Sequence, residues 1–429
     1  MPATPSHTHP HTHTHGSGTD APPAGPEVLT RRRRAVWLML LLLVPAGLAT
    51  VVGLVVLWPG DEPTQAQQVA ETYLPPGQTY PDARVVSLQT LPCGDTGAGQ
   101  ATCATAVVEV LEGEGAGDYQ QVGLQADVVA NGVAEGDTVV LSRDAGADGG
   151  LSYQFYDFAR TTPMVVLAVA FALVTVAVAR LRGLAALVGL AFSFVVLLQF
   201  VMPALLTGAS PTLVSLVGSA AIMFVVLYLA HGFSARTTTA LIGTLFGLAL
   251  VTVLGSVCVG VARLTGLTSE ETSALATYDP TLDFSGLVIA GCVVAGLGVL
   301  NDVTITQASA MWQLHEVDPA MGWRELYRRG MAVGRDHIAS TVYTIVFAYA
   351  GAALPLLLLF ELYSRPAGVT LTSTVVAEEV VRTLAGAIAL VLAVPVTTAA
   401  GAFFATAAGT AAGAAPERRV SALRARFAR

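Results

Sequence analysis

Lysine is absent from this chain, and charge of either sign is scarce. All 22 basic residues are arginines, and charged residues make up 12% of the 429 positions, against 53% for hydrophobic ones. Between Phe158 and Ser269 no acidic residue occurs. This composition excludes an ordinary soluble domain and indicates a multi-pass membrane protein in a lipid bilayer. Because the arginines form no basic face with interleaved aromatic residues, we expect no nucleic-acid partner.

Cysteine is also rare, with four in the chain. Cys93 and Cys103 lie in the long hydrophilic segment that follows the first apolar run, and they can form a disulfide if that segment is outside the cytoplasm. Cys258 and Cys292 lie in apolar stretches, which favours a packing role. No nucleophile and base, metal-ligand spacing or phosphate-binding loop stands out. We therefore expect no enzymatic activity and no cofactor.

Long hydrophobic runs, by contrast, are abundant. A first apolar stretch at 35–58 is followed by seven more, each long enough to cross about 30 Å of hydrocarbon. The seven cover approximately 163–180, 184–202, 211–229, 240–261, 284–309, 338–360 and 378–406. With both termini in the cytoplasm, 16 arginines fall on the inner side and six on the outer side, in line with the positive-inside rule. We predict a plasma-membrane protein with this orientation.

The expected fold is an all-α polytopic membrane bundle of about eight transmembrane helices with a small β-rich extracytoplasmic domain. The predicted parts are a disordered His-rich cytoplasmic tail at 1–34, transmembrane helix 1 at 35–58, the β-rich domain at 59–160, a seven-helix bundle at 161–410 and a basic cytoplasmic tail at 411–429. The first tail carries five alternating histidines: His7, His9, His11, His13 and His15. They could bind a divalent metal ion weakly, or they could belong to an inert tail.

The segment from Asp61 to Arg160 has 15 acidic residues against three arginines. Alternating apolar stretches at 83–88, 104–111, 120–126 and 137–141 predict short strands between Gly- and Asp-rich turns. Such a pattern is typical of a small OB-like barrel or sandwich. We interpret it as a scaffolding or docking domain.

The stretch from Gly286 to Ser309 starts as an ordinary apolar span and then becomes polar. On a 3.6-residue period one face carries Gly291, Ala295, Gly298, Asp302, Thr306 and Ser309. A charge near the bilayer centre costs at least roughly 2.5–3.5 kcal/mol, so Asp302 must face protein or water. The candidate solute or ion ligands are Asn301, Asp302, Thr306, Gln307 and Ser309. Alternatively, Asp302 only caps or pairs at the cytoplasmic end of the helix.

Two further charged groups lie near predicted helix ends: Arg335 and Asp336 at the start of the seventh span, and Glu378, Glu379 and Arg382 at the outer start of the last one. Arg335 could be the counter-charge of Asp302, although charged residues also serve as plain cytoplasmic anchors. Glu378 and Arg382 stand four residues apart and can pair on one helical face. That outer group is either an interfacial ion pair or the outer mouth of a pathway.

Several motifs resemble a known family as a set: Tyr156-Asp157-Phe158-Ala159-Arg160, Gly298-Val299-Leu300-Asn301-Asp302, Gly334-Arg335-Asp336, Ala348-Tyr349-Ala350-Gly351 with Leu354-Pro355, and Glu378-Glu379 with Arg382. In order and spacing they resemble the YibE/F-like family of multi-pass bacterial membrane proteins over roughly residues 80–410. The resemblance implies an integral membrane protein described as a permease. It implies no substrate.

The leading functional hypothesis is a permease or channel-like transporter of a small solute or ion, with Asp302 as an ion or proton site. The alternative is a non-transporting envelope assembly or scaffold protein whose acidic outer domain docks a partner. Seven further spans are more than an anchor needs, which favours the first hypothesis.

Overall fold

A computed structural model of the protein describes residues 26–60, 62–73, 77–96, 99–145, 150–362 and 366–408. The predicted metal ligands His7, His9, His11, His13 and His15 lie outside these residues, as does the predicted basic tail at 411–429. Both remain predictions.

The described part of the chain contains α-helices and one β-sheet. The helices are α1 (Pro26–Val56), α2 (Gln65–Tyr73), α3 (Ala126–Ala130), α4 (Thr161–Val196), α5 (Met202–Leu206), α6 (Pro211–His231), α7 (Ala235–Ala262), α8 (Glu270–Tyr278), α9 (Phe284–Val317), α10 (Trp323–Ala352), α11 (Leu354–Leu362), α12 (Ala367–Leu371) and α13 (Thr374–Ala408). A π-helical turn, Leu197–Val201, joins α4 to α5.

Six helical stretches of the described residues are long and apolar enough to cross a membrane. The number is seven if α10 and α11, which meet at an angle of 62°, together form one broken span. These spans imply a lipid bilayer environment. The predicted helical bundle is confirmed in this coarser form, and the predicted seventh span at 338–360 corresponds to the bent pair.

The predicted spans 163–180 and 184–202 fall within one helical stretch, Thr161–Leu206, of 46 residues. This stretch is interrupted at Arg180, where φ is 56° and ψ is −132°. Just beyond the break, Gly183 lies against the carbonyl of Thr175, so closely that a Cβ at this position would collide with it. The two predicted spans therefore meet at a kink at Arg180, where two helices join without an intervening loop.

The sheet has five strands in the order β3-β2-β1-β4-β5, and all the strand pairs are antiparallel. The strands are β1 (Asp82–Thr96), β2 (Gly99–Val110), β3 (Tyr119–Leu124), β4 (Thr138–Ala145) and β5 (Leu151–Phe158). The β-rich domain is confirmed, and so is its disulfide: Cys93 and Cys103 are bonded across β1 and β2, with their Cα atoms 5.5 Å apart.

The predicted closure into an OB-like barrel or a sandwich is wrong, because the structure has one open sheet. The edge strands β3 and β5 approach each other without forming a ladder. The short helix α3 covers the remaining apolar surface, since Val128 joins Val108, Val122 and Leu141 in one buried cluster. A second sheet is therefore not needed to bury the apolar side chains of the strands.

Helix α9 lies at the centre of the bundle and contacts α6, α7, α10 and α13. Glycines allow the close approach of its neighbours: Gly247 of α7 lies against Leu300, and Gly401 of α13 against Met311. Gly330 of α10 also packs on Met311. Small residues of this kind are what close helix packing in membranes uses. They fix the rotation of α9 and so decide which of its side chains remain uncovered.

Candidate functional site on helix α9

One face of α9 is not covered by the other described helices. Gly298, Asp302 and Thr306 are exposed, and half-buried residues continue this face in both directions: Gly291, Ala295 and Ser309. We call these six residues the α9 stripe. No atom lies within 4 Å of the position that a Cβ on Gly298 would occupy, so the space beside the stripe is open there. The face predicted from helical periodicity is thus the uncovered face.

The depth of Asp302 follows from the layers of the bundle. Trp312 packs in one cluster with Ala35 and Ala235, where α1 enters the bundle and α7 begins. Asp302 lies ten residues from Trp312, or about 15 Å along the helix axis. In the other direction, Val288 packs with Leu264 near the opposite end of the bundle, about 21 Å from Asp302. The carboxylate therefore lies between the two ends of the bundle, not beyond either of them.

Among the described residues, the side chain of Asp302 has no hydrogen-bond or ion-pair partner, and neither does that of Arg335. Arg335 and Asp336 are both exposed on α10. Gly334 packs against Gln307 and Val394, which places Arg335 at the level of Gln307, more than one turn from Asp302. The structure thus does not bring the predicted pair Asp302 and Arg335 together.

Gln307 faces the interior of the bundle and not the stripe. Its exposed fraction is 1%, and its Nε2 donates to the carbonyl of Gly330 at 2.9 Å and to Thr398 Oγ1 at 2.8 Å. These bonds connect α9 with α10 and α13. Gln307, one of the predicted ligands, therefore holds helices together and does not face the stripe. Asn301 is half-buried, and its Oδ1 is shielded from solvent without a partner in the described part of the chain.

A buried polar layer next to Gln307 is not among the features predicted from the sequence. Thr304 Oγ1 and Thr244 Oγ1 are 2.7 Å apart, which joins α9 to α7. Thr244, Thr304, Thr397 and Thr398 are all 0% exposed. Threonine is frequent in this chain, so its presence alone indicates nothing. Only the position of Thr304 on the face of α9 opposite the stripe could have indicated this layer. Its hydrogen bonds lock the side of α9 that faces away from the stripe.

The residues of the outer charged group, Glu378, Glu379 and Arg382, form two separate contacts. Glu378 is buried and accepts hydrogen bonds from the backbone N–H of Gly266 at 3.0 Å and from Thr268 Oγ1 at 2.7 Å. It thereby ties α13 to the segment between α7 and α8. Arg382 pairs with Glu379 instead, three residues away. Glu378 and Glu379 lie four and three residues before Arg382, and either spacing allows an ion pair on one helical face. Because Glu378 bonds to Gly266, it does not form the predicted pair with Arg382.

Arg382 also marks one end of the α9 stripe. A Cβ on Gly291 would lie 3.5 Å from Arg382 Nε, at ordinary contact distance, so the guanidinium lies directly beside Gly291. That Nε is shielded and has no partner among the described residues. The stripe therefore begins beside the cationic group of Arg382 and continues past the carboxylate of Asp302 to Ser309.

The first motif of the sequence analysis joins the sheet to the bundle. Arg160 Nη1 donates to Asp157 Oδ2 at 2.6 Å, and the backbone N–H of Phe158 donates to Asp157 Oδ1 at 2.8 Å. The bond from Arg160, followed by the one from Phe158, holds the pKa of Asp157 below its usual value. This contact is exposed and connects the end of β5 with the start of α4.

Within the described ranges, no group of three or more His, Cys, Asp or Glu side chains is arranged to hold a metal ion. The carboxylate of Asp302 and the hydroxyl of Thr306 offer oxygen atoms to a proton, a cation or a polar solute, whereas the amide oxygen of Asn301 is shielded. The α9 stripe is thus the candidate site.

Comparison with known protein families identifies the family of this chain. The family model of YibE/F-like proteins matches residues 167–407, more than half of the sequence. The chain belongs to the YibE/F-like family. The match covers the whole α9 stripe and both charged helix ends, whereas the β-sheet domain precedes it. No curated protein and no solved structure is significantly similar to this YibE/F-like protein.

Proposed function

We propose that this YibE/F-like protein is a permease that moves a small solute or ion along the α9 stripe. The observation that carries the proposal is the exposed carboxylate of Asp302, which lies between the two ends of a candidate membrane span on a face of glycines and hydroxyl groups. Hydrocarbon solvates such a face poorly, and an intramembrane carboxylate usually faces water or a partner. A hydrated pathway beside α9 supplies the water.

In this proposal the chain crosses the plasma membrane eight times, with both termini in the cytoplasm. The stretch Thr161–Leu206 would be about 69 Å long as one helix, more than twice the hydrocarbon thickness of about 30 Å. Its break at Arg180 lies beside a second arginine, Arg182, and arginines favour the cytoplasmic side. The stretch then contributes two crossings, and the bent pair α10 and α11 contributes one.

Two charged groups have different roles along the pathway. Arg382, held by Glu379, lies at the outer end and attracts or screens charged solutes there. Asp302 lies deeper and binds the proton or cation, with Thr306 one turn further along. Gln307 is not a ligand in this scheme, because both of its amide hydrogens serve helix packing.

The test is flux through the purified full-length protein in proteoliposomes, recorded for protons and for a panel of monovalent and divalent cations. We expect a protein-dependent current that Asp302→Asn abolishes. Glu316→Gln is the matched control, because Glu316 is an exposed acid of the same helix near its end. Absence of current for every ion, or an Asp302→Asn protein that matches the wild type, would contradict the proposal.

A specific observation also favours the alternative, a scaffold whose outer domain docks an envelope partner. The gap between the edge strands β3 and β5 contains a cavity of about 550 Å³ that is lined by Asp127, Tyr153 and Asp157 among others. Sheet edges with unpaired backbone groups are common docking places for extended peptides. A stoichiometric partner that binds through residues 61–160 and still binds the Asp302→Asn protein would support this function.

A further inference from the structure

A cleft of about 620 Å³ opens at the end of the bundle where α1 begins. Its walls come from α1, from the connection between α9 and α10, and from the last turns of α13. They include Arg34, Leu38, His315, Trp323, Phe403 and Thr406. None of these residues belongs to the α9 stripe, so the proposed pathway does not account for the cleft.

The polar side of the cleft has unused hydrogen-bond donors. Both ring nitrogens of His315 are shielded from solvent and have no partner among the described residues. A neutral imidazole carries one N–H donor and a charged one carries two, and shielded donors are normally paired. The guanidinium of Arg34 is exposed and forms no ion pair within the described part of the chain.

Acidic groups do not neutralise these donors. No acidic side chain lines the cleft in the described residues. Glu325, on the first turn of α10, is paired with Arg328 and with Arg329, whose Nε lies 2.7 Å from the Glu325 carboxylate. The cleft therefore combines a cation with a shielded imidazole, which favours an anion as its ligand.

The opposite side of the cleft is apolar. Leu38, Phe403 and Ala407 form this wall. An adjoining groove on α1 is lined by Arg33 and by Trp37, whose exposed fraction is 63%. Exposed tryptophans such as Trp37 and Trp323 are typical of the membrane–water interface. The ligand thus needs a negative head and an apolar tail.

We propose that this cleft binds an anionic phospholipid of the bilayer. Arg34 donates to the phosphate of its headgroup, a rotation of the His315 side chain brings a ring N–H to the same phosphate, and an acyl chain lies along Leu38 and Phe403. Basic pockets between transmembrane helices at the membrane surface bind lipid headgroups in this way. The lipid would join α1 to α13 and to the α9–α10 connection.

The test is native mass spectrometry of the full-length protein after reconstitution in nanodiscs with equal amounts of phosphatidylglycerol and phosphatidylcholine. We expect the wild type to retain phosphatidylglycerol preferentially. Arg34→Gln should weaken its retention about fivefold, the contribution of one basic residue at a membrane surface, and His315→Leu should weaken it as well. Arg34 is exposed, so its substitution leaves the core intact. Arg182→Gln is the control, because Arg182 is exposed and does not line the cleft.

Three results would overturn the proposal. The first is equal retention of the two lipids by the wild type. The second is retention by Arg34→Gln and His315→Leu that equals that of Arg182→Gln. The third is displacement of the lipid by millimolar glycerol phosphate, which would assign the cleft to a soluble phosphate compound.

Discussion

Asp302 and Gln307 lie five residues apart in α9 and face different surroundings. The carboxylate of Asp302 is exposed on the α9 stripe, whereas the amide of Gln307 is buried between α10 and α13. The polar residues of this helix therefore have two roles. Those on the buried side bind neighbouring helices, and those on the stripe are left uncovered by the other described helices.

Replacement of Gln307 should affect stability. Gln307→Ala removes two interhelical hydrogen bonds and leaves the buried Thr398 hydroxyl with one partner fewer. Hydrogen bonds between membrane helices contribute about 0.6 kcal/mol on average and up to about 1.7 kcal/mol. We expect a loss of about 1–2 kcal/mol in the free energy of unfolding, measured by denaturant titration in detergent micelles. Gln313→Ala, at an exposed position of the same helix, should change it little; an equal loss in both variants would contradict this role.

Two glycines of the bundle should respond in opposite ways to the same substitution. A Cβ on Gly247 would collide with Leu300, whereas a Cβ on Gly298 would meet no atom within 4 Å. Gly247→Ala should therefore cost about 1–3 kcal/mol through overpacking. Gly298→Ala should be neutral or stabilising by up to about 1 kcal/mol, because alanine favours the helix. Thermal unfolding of both variants in one detergent checks the difference, and a Gly298→Ala protein as unstable as Gly247→Ala would mean that the stripe is covered.

Glu378 should control the order of the segment between α7 and α8. Glu378→Ala removes the acceptor of the Gly266 N–H and of the Thr268 hydroxyl. Hydrogen bonds to charged groups contribute about 1.5–3 kcal/mol, so the Gly266 amide should exchange its hydrogen at least about tenfold faster. Hydrogen-exchange mass spectrometry measures this rate. Glu379→Gln is the control and should leave the rate unchanged; faster exchange in that variant as well would show that the Arg382 pair orders the segment.

The sequence was sufficient to predict the stripe but not the contacts that surround it. The periodicity of Gly298, Asp302 and Thr306 determines that they share a face, whereas its being the uncovered face depends on glycines of α7, α10 and α13 that pack against the other side of α9. The same periodicity separates Gln307 from Thr306 by about 100° around the helix, which argues against their acting as ligands together. The partners of Gln307 depend on how α10 and α13 align with α9, and no local pattern encodes this alignment.

Long-range contacts explain the other differences. Glu378 can pair with Arg382 by spacing alone, but its partner Gly266 lies 112 residues away in the sequence. The strand positions were predictable from alternation, whereas barrel closure depends on pairing between β3 and β5, two strands that α3 and β4 separate in the chain. Cys93 and Cys103 were easier to pair, because they lie close together on neighbouring strands.

The central claim, that water reaches the α9 stripe, is tested most directly by cysteine accessibility. Single cysteines at Gly298→Cys and Thr306→Cys, in a protein with Cys258→Ser and Cys292→Ser, are treated in membranes with a charged, water-soluble thiol reagent. Leu392→Cys is the control, because Leu392 is an exposed apolar residue of α13 that would face lipid. We predict that the two stripe cysteines react and that Leu392→Cys does not. Stripe cysteines as unreactive as Leu392→Cys would contradict a hydrated pathway beside Asp302.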